Sequence, residues 1–135
     1  MLSDPDEDPD VIDEFEESLI NDVDDVVRIF GEQFNFGCEA DDPLVAWAFR
    51  DDVNPLGARL RPILGSDISH WDVRDMTEPV AEAFELVEDG VISDRDFRDL
   101  TFVNPVLLHA GPNPSFFDGT VCEAAAATAL QEVAP

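Results

Sequence analysis

The order of apolar runs along this chain predicts an α/β fold, mostly helical, in which two short strands pair in parallel. Two brief apolar runs, residues 34–38 and 60–64, each end in turn-forming or acidic residues and read as buried strands. Helix-spaced segments precede, separate and follow them, and strands separated by helices pair in parallel. With 135 residues, 44% of them hydrophobic, the chain can bury one real core and not two. A sheet of two strands keeps two raw edges, which invite a partner.

Taken in order, residues 1–10 alternate acids with Pro5 and Pro9 and form a flexible acidic lead-in to the domain, residues 11–135. From 11 to 30 the apolar positions Val11, Ile12, Phe15, Leu19, Val23, Val26, Val27 and Phe30 fall at helical spacing, and Gly31 stops the helix. After the first strand, Asp42-Pro43 marks an N-cap and first helical position for a brief helix through Val45 and Trp47. Asn54-Pro55 and Gly57 make the next loop. Pro62 in the second strand argues for a late start or an open edge. Asp75 and Glu78 have the spacing of a capping box for a helix reaching about Asp89, with Val80, Ala83, Phe84 and Val87 inward and Gly90 closing it. Ser93 with Asp96 opens another helix, Asn104-Pro105 caps a third, and residues 124–133 form an alanine-rich terminal helix.

Thirty-two acids stand against seven bases, all arginine, for a net charge of −25. Such a surface repels nucleic acid and anionic lipid, so neither is an expected partner. The acids are spread along the chain, which favours adaptation to a high-salt cytoplasm over an acidic interaction module. Cys38 and Cys122 fit no zinc or CxxC spacing and read as small buried hydrophobes. No apolar run approaches the roughly 18 residues of a membrane span, and no basic region precedes an apolar one as in a leader. The expectation is a cytoplasmic protein.

Chemistry concentrates in Gly65-Ser66-Asp67-Ile68-Ser69-His70-Trp71-Asp72, where a carboxylate follows the second strand with an imidazole, an indole and another carboxylate behind it. An acid in that place can bind a metal or move a proton. This stretch, with Asp75-Met76-Thr77-Glu78, Phe97-Arg98-Asp99, residues 104–109 and Gly37-Cys38-Glu39-Ala40-Asp41-Asp42-Pro43, resembles the closing part of the amidohydrolase superfamily, in its aminocarboxymuconate-semialdehyde decarboxylase-like branch. The resemblance spans roughly residues 11 to 120. It implies a partial TIM (β/α)8 barrel, whose last two βα units are followed by C-terminal helices. It also implies that Asp67 corresponds to the aspartate ending the last strand, which in that family binds the metal and helps activate water. His70 then either meets substrate or orients Asp67. Trp71 is expected at the strand mouth, and His109 in a structural role.

The departures from the family pattern set the functional expectation. A whole barrel takes about 250 residues, or roughly 31 per βα unit, so this chain cannot close one. The family's His-x-His pair and further imidazoles are missing, since His70 and His109 are the only histidines. Zinc sites take three or four ligands, and Asp67 with His70 gives two. The expectation is therefore a C-terminal fragment or subunit of a metal-dependent hydrolase or decarboxylase, inactive alone. It would take zinc or manganese only when the missing barrel half is supplied, and its expected partner is such an upstream barrel segment or a further copy in a homo-oligomer. A non-catalytic acidic α/β interaction module is the alternative. The sequence lacks Gly-x-Ser-x-Gly, phosphate-loop and dinucleotide fingerprints.

Overall fold

A computed structural model of the chain describes Ser18 and residues 20–133. The acidic lead-in and residues 11–17 lie outside them. Two parallel strands, β1 (Phe36–Cys38) and β2 (Pro62–Leu64), pair in the register Phe36↔Pro62, Gly37↔Ile63 and Cys38↔Leu64. Helices dominate the remainder, so the fold is mixed α/β with a small parallel sheet. No helix among the described residues is long and apolar enough to cross a membrane.

Each strand is shorter than its apolar run. The ladder begins where the Phe36 N–H donates to the Arg61 carbonyl at 3.0 Å and ends where the Gly65 N–H donates to the Cys38 carbonyl at 2.7 Å. A side chain at Gly65 would place its Cβ 3.3 Å from that same carbonyl, so the closing bond needs glycine or a local shift. N–H and C=O of one strand residue point to the same edge. The Arg61 carbonyl faces β1, so Pro62 faces away and its missing N–H costs no ladder bond. The Pro62 carbonyl instead accepts from Asn104 Nδ2 at 2.8 Å.

Before β1, helix α1 (Val23–Arg28) is capped by Asp22, whose carboxylate accepts from the Asp25 N–H. Asp22 holds an extended backbone, which ends the continuous helix expected over 11–30. Nor does Gly31 stop it: α1 runs on as a π-helical turn, Ile29–Gln33, and ends at the extended Phe34. Between the strands, Asp42 caps a 3-10 helix (Pro43–Phe49) by accepting from the Leu44 N–H at 2.9 Å, as the Asp-Pro pair predicts.

Helix α2 (Pro79–Glu88) starts on its proline and buries Pro79, Ala83 and Leu86, spaced four and three apart. This corrects the expected inward face, since Val80 and Phe84 are exposed and Leu86 is buried in their place. The Asp75–Glu78 capping box does not form. Asp75 spends its carboxylate on the Thr77 N–H and hydroxyl, at 2.9 and 2.6 Å. Gly90, with φ 71°, closes the helix as a Schellman motif: Val91 N–H reaches the Leu86 carbonyl and Gly90 N–H the Val87 carbonyl.

Next comes a rod: α3 (Asp94–Arg98), a π-helical segment (Asp99–Val103) and α4 (Asn104–Ala110), with helical backbone at both junctions. Its start is the expected capping box, Ser93 accepting from the Asp96 N–H and Asp96 from the Ser93 N–H. Asn104, expected as a cap, is instead buried mid-rod, where its amide holds β2. One core joins Leu100, Leu86, Ile92, Val45 and Phe49 beneath the sheet residues Cys38 and Leu64. A second packs Val106 and Ala110 of α4 against Ala126 and Ala129 of α5 (Glu123–Glu132).

Candidate functional site

Because the strands are parallel and in register, their carboxyl ends open onto one rim. Glu39 and Asp41 follow β1, and Asp67 follows β2 by three residues. The loop after Gly65 turns sharply: Asp67 has φ 50° and Ser69 has φ 92°, both in the left-handed region. Aspartate tolerates that region better than most residues, whereas serine there carries strain of about 1 kcal/mol or more.

The turn brings together the two residues singled out in the sequence. His70 Nδ1 lies 2.8 Å from Asp67 Oδ2, and the His70 N–H donates to the Asp67 carbonyl at 3.1 Å. The Asp67 side chain is 30% exposed and His70 67%, so the acid is the sheltered member. Asp72 joins them, and one ligand atom from each of the three lies within 4.8 Å of the others. Asp72 had been only a neighbour in the motif. Its place five residues after Asp67, beyond a turn, gave no periodic signal.

A cleft of about 220 Å³ lies along this rim, lined by seven carboxylates, among them Glu39, Asp41, Asp67 and Asp72, and by one guanidinium, Arg74. Beside it an open hollow joins Cys38, Glu39, Asp42 and Asp67. Burial, with the nearby Asp42 carboxylate, pushes the Cys38 thiol up to about 11, which keeps it protonated and unreactive at neutral pH. Trp71 does not pack at the strand mouth: it is 92% exposed. His109 stacks on Phe116 with ring centroids 4.7 Å apart, far from the rim in sequence and in a packing role.

One imidazole and two carboxylates suit an oxygen-preferring divalent ion better than a structural zinc. They can occupy three positions on one side of such an ion. Since His109 is committed to Phe116, the chain brings no second imidazole to this cluster. The residues present fit part of a metal site.

Comparison of the chain with protein-family models, with curated proteins and with solved structures finds no match.

Proposed function

We propose that this chain is the C-terminal part of a metal-dependent hydrolase or decarboxylase of the amidohydrolase type, its two strands standing for the last two of a (β/α)8 barrel. The observation that carries the reading is the placement of Asp67: a carboxylate just past the carboxyl end of a parallel strand, oriented by His70 at 2.8 Å and opening onto a cleft. Active sites of such barrels lie at that end of the strands. A divalent ion bound there supplies Lewis acidity. Asp67 would hold one ligand position and would accept the proton released from the nucleophile, with His70 fixing the rotamer in which it could do so. The remaining ligands, in this reading, come from an upstream barrel segment that assembles against this strand pair.

The test is to inspect the neighbouring reading frame for a His-x-His-bearing barrel segment and to co-express this chain with such a segment. Asp67→Asn should abolish turnover while leaving the assembly intact. Turnover by the purified 135-residue chain alone, with zinc or manganese, rejects the incomplete-site reading.

The second reading, an acidic module without catalysis, draws support from a ladder of stacked aromatics beside β1. Phe30 and Phe34 lie 5.3 Å apart by ring centroid, Phe34 and Phe36 6.5 Å, and the first two are about half exposed. In that case Asp67→Asn changes nothing, and substitution of Phe34 releases the partner. The acidity itself we read as adaptation to salt. Circular dichroism should then show structure strengthening from dilute buffer to molar KCl, and a flat response favours the module.

A further inference from the structure

At the end of the sheet opposite Asp67 the charge balance reverses. A cleft of about 230 Å³ opens beside Leu60 and Arg61, which lead into β2, and three of the chain's seven cations line it: Arg59, Arg61 and Arg95. Arg59 is already neutralised, by Asp96 at 2.6 Å and Asp99 at 3.2 Å, and its other nitrogen donates to the Phe49 carbonyl. Arg61 donates to the backbone carbonyl of Glu32 at 2.7 Å, a neutral acceptor, and has no ion pair among the described residues. The Arg95 side chain has no ion pair or hydrogen bond among the described residues. In a chain of net charge −25, two guanidiniums around one concavity thus have no ion pair among the described residues. The rest of the lining is apolar along Leu60, Val103, Leu107 and Val133, with two polar groups already engaged: the Asp99 carboxylate, held by Arg59, and the Asn104 amide, held by the Pro62 carbonyl.

We propose that this cleft binds a small carboxylate with an apolar body, aromatic or branched aliphatic, whose carboxyl group meets Arg61 and Arg95. Guanidinium forks match carboxylates in paired hydrogen bonds. The apolar walls have nothing to offer a fully hydrated phosphate, whereas they can cover a hydrocarbon body. The volume lies below the roughly 300 Å³ where drug-sized pockets begin, so the ligand is small. The assignment is independent of the reading given for the rim and uses none of its residues.

The experiment is a titration of the full chain, followed by NMR of the arginine Nε–H groups at fixed ionic strength, with benzoate, neutral benzamide and inorganic phosphate as probes. Benzoate should shift the Arg61 and Arg95 resonances saturably, and benzamide should not. Arg95→Gln, which breaks no side-chain ion pair or hydrogen bond among the described residues, should weaken benzoate about tenfold, the worth of one charge-assisted bond. Asp67→Asn should leave benzoate binding unchanged. The proposal is overturned by unsaturable shifts, by benzamide acting as benzoate does, by phosphate binding as tightly, or by Arg95→Gln binding as the parent chain does.

Discussion

The rod of residues 94–110 and the rim loop of residues 65–78 are close in length and opposite in construction. Along the rod, Leu100, Val103, Asn104, Val106 and Ala110 are all buried, and one capping box opens it. Across the loop no residue is fully buried, two non-glycine residues sit at positive φ, and Ile68, Trp71 and Met76 face solvent. The rod is specified by packing and the loop by local polar contacts. Substitutions should therefore act on stability in one region and on chemistry in the other.

The largest effect tests the rod. Leu100 is 1% exposed at the centre of the main core. Leu100→Ala should cost about 3 kcal/mol, the usual cost of a buried leucine plus the cavity it leaves, measured by urea unfolding of the chain in high salt. A loss below about 1 kcal/mol would mean that the core is loose, and the contrast with the loop would disappear.

Asn104 tests whether the rod also holds the sheet. Its amide is the hydrogen-bond partner of the Pro62 carbonyl at the outer edge of β2. Asn104→Leu keeps the volume but strands a carbonyl, for an expected loss of about 2 kcal/mol. Amide exchange should quicken at Gly65 and Phe36, whose N–H groups bond across the strand pair. Unchanged exchange there would show that β1 and β2 stand without the rod.

Ser93→Ala removes one half of the capping box and should cost about 1 kcal/mol. It also carries a pH signature. Burial raises the Asp96 carboxyl pKa, but the Ser93 hydroxyl and amide together with Arg59 outweigh that and hold it below its ordinary 3.8. A pKa lowered by folding contributes stability that is present above the unfolded value and lost as pH falls through the folded one. The parent chain should therefore lose stability as pH drops below about 4, and Ser93→Ala should lose less over that interval. Parallel acid profiles would remove the box from the account.

How much of this was legible in sequence follows the same division. The strand pair, its parallel sense, the Asp42 and Ser93 caps and the Gly90 stop were readable because each depends on a few neighbouring residues. Asn104 was misread because Asn-Pro is a common helix start, and only the tertiary need of the Pro62 carbonyl overrides that preference. Asp75 was misread because a closer donor, Thr77, competes with the helix terminus for its carboxylate. In the loop, spacing marked Asp67 and His70 as candidates, but the turn that adds Asp72 rests on backbone angles that no periodicity reports.

The smallest stability effect belongs to the rim, and there the choice of substitution decides what is learned. The Asp67–His70 pair is partly exposed, so breaking it should change stability by less than about 0.5 kcal/mol. Asp67 also occupies the left-handed region, which asparagine tolerates as aspartate does and alanine does not. Asp67→Asn keeps both the backbone and an acceptor oxygen for His70, and its unfolding midpoint should match the parent's. Asp67→Ala should lose about 1 kcal/mol through backbone strain alone. If both variants unfold as the parent does, the φ of 50° imposes no constraint on the loop. If Asn proves as costly as Ala, the carboxylate charge itself holds the rim together, and the separation of packing from chemistry fails at the residue on which the proposed function depends.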